Sequence, residues 1–245
     1  MERKKAIMHK YEMYLSDLSG LPVSFTYGGH NYRGFGKDFQ ELSRKTEEVG
    51  KKITTEILLR FRDDLRVTLR MAIYPDYCAY EWTVYFENKG KGNSAVLENL
   101  KCADLVFAGA SPVLKGIYGD GGMEDKGPYG PYCFDLKTEG NIHMTPPTGR
   151  STYNYFPYFN IEYGDGGTFA ALGWPIMWGA SFTYESGENG KESVCFRAGQ
   201  ETFSSYLAPG ERIRTPLAVF LEYEGRDEDR AMNLWRRWFI DCNMR

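Results

Sequence analysis

Histidine is scarce here: His9, His30 and His143 are scattered over 245 residues, and no spacing among them builds a metal site. His143 falls in a polar strand-like run and reads as a surface or structural residue. Cysteine is sparse too. Cys78, Cys102, Cys133, Cys195 and Cys242 are odd in number, widely spaced and without a C-x-x-C pair. That excludes a disulfide framework and a zinc ribbon, and fits reduced thiols in a reducing compartment. No P-loop exists, because the glycine-rich segments lack a following Lys-Ser/Thr and join strand to strand. A G-x-S-x-G elbow is also missing. Neither sign of charge dominates: 30 Lys and Arg against 33 Asp and Glu leave a net charge of −3. A nucleic-acid or anionic-membrane partner needs a basic patch that this balance does not offer. The opening MERKKAIMHKYEMYLSDLSG holds no apolar run fit for a leader, and no later run could cross a bilayer as a helix. A cytoplasmic protein without cofactor or metal is the expectation.

Aromatic residues are what the chain has in excess: 18 Tyr, 15 Phe and 5 Trp, or 16% of the sequence. Aromatics favour strands and large cores. They also line sugar sites, where a flat ring stacks on the C–H face of a pyranose. Period-two alternation supports the strand reading. Leu65, Val67, Leu69, Met71 and Ile73 share one face, opposite Arg66, Thr68, Arg70 and Ala72. Tyr80, Trp82, Val84 and Phe86 repeat the pattern in AYEWTVYF. Further strand-like runs are ITTEILLRF, VLENLKCADLVF, PYFNIEY, TFAALGW, WGASFTY, SVCFRAG and IRTPLAVFLEY. No β-α-β alternation appears, so the expected class is all-β: a large antiparallel β-sandwich with one C-terminal amphipathic helix.

Several segments depart from that pattern. Residues 1–22 read as an N-terminal extension, and 108–148, rich in Gly, Pro and Tyr, as an irregular excursion from a single domain spanning 1–245. The pentapeptide YGDGG occurs at Tyr118–Gly122 and Tyr163–Gly167, the second between two strands as a hairpin turn. Ala231, Leu234, Trp235, Trp238 and Phe239 form one helical stripe over 228–241, with Asp227, Glu228 and Asp229 at its positive end. Glycosidic cleavage needs two carboxyl groups flanking the bond. The acids here sit in turns (Asp76, Asp120, Asp165) or on wet strand faces (Glu81, Glu162), and nothing marks two of them as a pair.

Residues 149–238 carry GRS…FPYFNIEYGDGG…ALGWP..W, then AGQETF…LAPGERIRTPLAVFLEYEG, then NLWRRW; upstream stands YEWTVYFENKG. In order and number these pieces resemble the N-terminal β-supersandwich of α-galactosidases of glycoside hydrolase family 36. The resemblance covers about residues 53 to 240, and its most specific element is PGERIRTP, an apolar strand, then NxWRRW. It implies a retaining enzyme acting on terminal α-galactosides, whose two catalytic aspartates sit on a (β/α)₈ barrel. That barrel is expected beyond Arg245, so the resemblance places no catalytic residue in this chain. It implies a non-catalytic domain that supports assembly and contacts sugar. A family loop of Gly-x-Asp-Phe type offers Asp38 in Gly36-Lys37-Asp38-Phe39 as a sugar contact. Carbohydrate-contact candidates from the aromatics are Trp174, Trp178, Tyr153, Tyr155 and Tyr158. Interface candidates are Trp235, Trp238 and Phe239, which need a barrel in cis, a second copy or the sandwich itself to cover them. The alternatives are a stand-alone carbohydrate-binding β-sandwich, which fails if Trp174 and Trp178 are both buried, and a lyase or epimerase, which requires a cleft with clustered acids, His and Arg.

Overall fold

The computed structural model describes residues 2–62, 64–121, 127–187 and 190–244. Gly122, which ends the first YGDGG copy, residues 123–126 of the Gly/Pro/Tyr-rich stretch, and Arg245 lie outside the described residues. Among the described residues the strands form two antiparallel sheets, of seven and ten strands, as the alternation implies. The residues divide into two compact units, Met1–Cys102 with Thr202–Leu217, and Ala103–Glu201 with Ala218–Arg245.

In the first unit, β3 (Phe39–Val49), β4 (Lys52–Phe61), β5 (Leu65–Tyr74) and β6 (Ala79–Asn88) form a meander. It faces β1 (Ser24–Tyr27), β2 (His30–Arg33) and the first half of β7 (Leu97–Ala108). The alternating residues Leu65, Val67, Leu69, Met71 and Ile73 are buried, as are Tyr80, Trp82, Val84 and Phe86. Rings interlock between the layers: Phe25 on Phe86 at 5.1 Å and Tyr27 on Phe61 at 5.6 Å. The Trp82 indole N–H donates to the Cys102 carbonyl at 2.7 Å, so this ring buries its area without orphaning its donor. β3 behaves differently. After Phe39 its residues are all exposed, and its charges sit on an edge.

A second long helix, α1 (Glu2–Ser16), occupies the expected extension. Ile7, Tyr11 and Tyr14, at i, i+4 and i+7, are its buried stripe. The Tyr11 hydroxyl bonds Thr55 Oγ1 at 2.6 Å, and burial pushes that phenol up.

In the second unit, β11 (Tyr158–Tyr163) and β12 (Gly166–Gly173) form the expected hairpin at the second YGDGG, Tyr163 pairing Gly166. The stretch 108–148 is more regular than its composition suggests. It holds β8 (Val113–Ile117), β9 (Pro131–Asp135), the one-turn helix α2 (Leu136–Glu139) and β10 (Asn141–Met144). β8 pairs with both β9 and β11. Gly116 permits this: a Cβ there would collide with the hydroxyl of buried Tyr132. The opposite layer is β10, β13 (Trp178–Ser186) and β14 (Glu192–Gln200). Phe159 of β11 meets Phe182 at 5.1 Å, Trp178 at 5.7 Å and Phe196 at 6.1 Å across the core.

The run IRTPLAVFLEY is two strands, β16 (Arg212–Arg214), which pairs β6 in the first unit, and β17 (Leu217–Glu224). Pro216 has no N–H for a ladder, and the break falls there. Between Ser204 and Ser205 lies the short β15, paired with Glu98 and Leu97 of β7.

Glu192 ties the start of β14 to its surroundings, accepting from Lys137 Nζ at 2.7 Å, Ser111 N at 2.6 Å and Tyr184 Oη at 3.0 Å. The Lys137 bond above all, then those from Ser111 and Tyr184, holds its carboxyl down at about 2 from an ordinary 4.5. A depressed folded pKa gives stability that is complete above the unfolded value and is lost as pH falls through the folded one. The pH slope of unfolding between about 4.5 and 2 should therefore be flatter in Glu192→Gln than in wild type. Urea titrations at pH 6, 4 and 3 measure it, and parallel slopes would refute the assignment.

Candidate functional site: the groove beside the terminal helix

Asp227 starts α3 (Glu228–Cys242), accepting from Arg230 N at 3.0 Å, and Glu228 and Asp229 fill the first turn. The predicted stripe folds back on the second unit's own sheet. Trp235 packs on Phe169 of β12 at 5.7 Å, on Tyr158 of β11 at 6.3 Å and on Trp238 at 4.9 Å. Ala231 and Trp238 are buried, Leu234 and Trp235 half-buried, and Phe239 is 44% exposed. Of the three interface candidates, Trp238 is thus already covered by the chain itself, while Phe239 and part of Trp235 remain on a surface.

That surface is one wall of a groove of about 740 Å³. Met232, Trp235 and Phe239 face Ile117, Pro131, Tyr158 and Phe169 across it, with Lys115, Asn160 and Glu228 as polar groups. Size and lining suit a ligand or apolar segment held by a few oriented polar groups. Lys115 bonds Glu162 Oε1 at 3.1 Å and also Glu228, pinning the first turn of α3 to β8 and β11. Asn160 accepts from the Tyr223 hydroxyl at 2.6 Å, and burial, with Glu162 nearby, pushes that phenol up. The buried Tyr132 phenol is raised for the same first reason.

A second cluster involves the loops after β8 and β10. Arg150 reaches Asp120 Oδ2 at 3.3 Å and lies 4.8 Å over the Tyr153 ring. Asp120 Oδ1 is buried and has no hydrogen bond among the described residues. Tyr155 contacts Tyr118 and Tyr132, each at 5.8 Å. From beneath, the Trp178 indole N–H donates to the Ser151 carbonyl at 2.8 Å.

The sugar-contact candidates therefore separate. Tyr158 is 49% exposed at the groove; Tyr153 and Tyr155 are half-buried in the loops. Trp174 is half-buried in the turn before β13, but Trp178 has no exposed surface and presents no face to a sugar. The platform pairing Trp174 with Trp178 does not form, because β13 directs residue 178 into the core. Asp38 is exposed in the first unit, in the turn closed by Phe39 N to Gly36 O, with Phe39 stacked on Phe61 at 4.5 Å. Lys115, Asn160 and Arg150 escaped the sequence reading, and Asp120 and Glu228 entered it only as a turn acid and a helix-start acid, since each belongs to a cluster assembled from distant segments. Among the described residues no three His, Cys, Asp or Glu gather to hold a metal ion. No helix among them is long and apolar enough to cross a membrane.

No protein-family model matches the chain, and no curated protein is similar to it in sequence. Solved structures do match in fold. The α-galactosidase from Lactobacillus brevis aligns with TM-score 0.60 at 15% identity, over 83% of this chain and 29% of its own. The family GH36 α-galactosidase AgaB from Geobacillus stearothermophilus gives 0.58 at 18%, over 83% and 30%. The α-N-acetylgalactosaminidase NagBb from Bifidobacterium bifidum gives 0.53 at 11%, over 91% and 34%. This chain thus spans about a third of each of these proteins. Its fold is the one that forms that third of glycoside hydrolase family 36 α-galactosidases, as the motifs from Gly149 onward imply.

Proposed function

We propose that this chain is the N-terminal, non-catalytic β domain of an α-galactosidase-like glycoside hydrolase acting on terminal α-galactosides. The observation that carries the reading is the fold likeness over 83% of the chain, which agrees with motif order in the sequence. In this role the groove beside α3 receives a neighbouring domain, a (β/α)₈ barrel in cis or a second copy. Exposed Ile117, Tyr158, Met232 and Phe239 supply its apolar contact. The second reading, a carbohydrate-contacting module, draws on Asp120, whose buried Oδ1 has no donor among the described residues and which lies beside Arg150 and Tyr153.

A chromogenic α-galactoside assay tests the first reading: the chain alone should give no turnover, and measurable turnover overturns the non-catalytic role. Calorimetry with galactose and raffinose tests the second. Heat that disappears in Arg150→Ala supports it; absence of heat up to millimolar sugar removes it.

A further inference from the structure

A polar row crosses the outward face of the β10–β13–β14 layer, apart from both clusters above. His143 of β10 pairs directly with Ser181 of β13, which pairs on its other side with Arg197 of β14. Ala180 and Phe182, the neighbours of Ser181, are buried in the core, so Ser181 stands on the opposite face, half-exposed. His143 Nδ1 lies 2.8 Å from Ser181 Oγ, and its Nε2 lies 2.7 Å from Oε1 of Glu201, the residue after β14. Arg197 Nε donates to Asp104 Oδ1 of β7 at 3.2 Å.

Elementary hydrogen-bond chemistry orders the protons in this row. An ionised carboxylate only accepts, so His143 Nε2 carries the hydrogen facing Glu201. In the neutral ring Nδ1 is then an acceptor, and it faces the Ser181 O–H. A hydroxyl nucleophile, a base in contact with it and a carboxylate that orients the base are together on one surface. Arg197, the cross-strand neighbour of Ser181, gives its guanidinium to Asp104 of β7, on the side of β14 away from Ser181.

The surroundings are shaped to hold Glu201. A Cβ on Gly179 would overlap Glu201 Oε2, so only glycine leaves the carboxylate its place. That oxygen is buried and has no hydrogen bond among the described residues, which ties the carboxylate's polar contact to His143. The Glu201 N–H bonds the carbonyl of Met177 at 3.0 Å, and Met177 sits at φ +39°, a strained conformation for a side chain of its size.

We propose that Ser181 is a nucleophilic serine that transfers acyl groups from small esters to water. His143 is its base, and Glu201 positions His143. In the first half, Ser181 Oγ bonds the ester carbonyl carbon while its proton moves to His143 Nδ1. Collapse breaks the carbon–oxygen bond to the leaving group, which takes that proton and departs as an alcohol or phenol. Water then attacks the acyl-serine, passing a proton to Nδ1. The acid leaves and Ser181 Oγ recovers the proton. Unhindered esters are the substrate class, because the row lies on a sheet face rather than in a cleft. The domain proposed above is non-catalytic towards galactosides, and this ester hydrolysis is a separate activity that stands or falls independently of that reading.

The test is fluorophosphonate labelling read by peptide mass spectrometry, together with p-nitrophenyl acetate hydrolysis by the whole chain. One adduct is expected on Ser181. Ser181→Ala should abolish both adduct and hydrolysis, and His143→Gln should slow labelling about 100-fold or more. Glu201→Gln, which keeps an acceptor for Nε2–H, should slow labelling with its melting temperature unchanged; a purely structural Glu201 would leave the rate alone. Labelling of exposed Ser204 and Ser205 as fast as Ser181 overturns the proposal. So does hydrolysis that survives Ser181→Ala, a one-atom deletion that decides the matter even if the histidine variant fails to fold.

Discussion

Replacing Trp178 by alanine should cost about 3–5 kcal/mol of unfolding free energy, the largest loss expected from any single truncation in the second unit. The ring has no exposed surface and meets Phe159 edge-on at 5.7 Å. Its removal leaves a cavity between the two layers, and backbone already paired in ladders cannot collapse into it. A second effect adds to the first. The Ser151 carbonyl loses the indole donor at 2.8 Å, so the loop bearing Arg150 and Tyr153 loses its anchor. Trp178→Phe separates the two contributions, because it retains most of the ring but not the N–H. Its cost should be about 1–2 kcal/mol, near that of one buried hydrogen bond with its partner left unpaired. Urea unfolding at 25 °C measures both variants. A loss under about 1 kcal/mol for the alanine variant would mean that this residue does not organise the core.

Asn88 is the second sensitive position, in the first unit. It ends β6 in the corner Phe86-Glu87-Asn88-Lys89-Gly90 and is 1% exposed. Its amide nitrogen donates to the carbonyls of Gly92 and Leu207, each at 2.8 Å, and its oxygen accepts from Gly90 N at 2.8 Å. One side chain thus closes its own turn and ties it to a segment 119 residues away. Asn88→Ala strands those backbone groups where water reaches them poorly, at about 1–3 kcal/mol for each group left buried and unpaired. A total of about 3 kcal/mol is expected. Asn88→Asp is a sharper test, since its carboxylate keeps the bond from Gly90 but turns two donors into an acceptor facing two carbonyls. It should be no more stable than the alanine variant in the same urea titration; near-wild-type stability of either would show that the corner is held by other contacts.

The strands with strict alternation were legible because one face of each is core and the other is wet. In β5 and β6 the residues the period selects are all buried. But Ala72, Glu81 and Thr83, on the face expected to be wet, are buried as well, Glu81 accepting from Lys52 Nζ at 2.6 Å and Tyr74 Oη at 3.0 Å. Helix α3 was legible for the same reason at period 3.6, and the composition-based expectation failed where those periods are short. β8, β9 and β10 run only four or five residues amid Gly and Pro; β8 pairs β9 with Tyr132 fitted over Gly116, and β10 pairs β13 in the other layer. Helix α1 hides its three-residue stripe among Lys, Glu and Met. The groove was half legible. Trp235 and Phe239 lie on a readable helix, but Lys115 meets Glu228 across 113 positions, and no local pattern announces such a pair. Trp178 misled for a plain reason: a tryptophan four residues from another looks like a platform until strand parity turns one of them inward.

The exposed strand β3 has a consequence for how the molecule meets copies of itself. Its sequence QELSRKTEEV carries alternating charge, with Arg44 bonded to Glu41 at 2.7 Å. A passing strand from another molecule would find open backbone groups there, yet docking would strip water from Glu41, Arg44, Lys45, Glu47 and Glu48 together. Crowded solutions therefore place little pressure on this side of the protein, and the sheet stops growing where its charges begin.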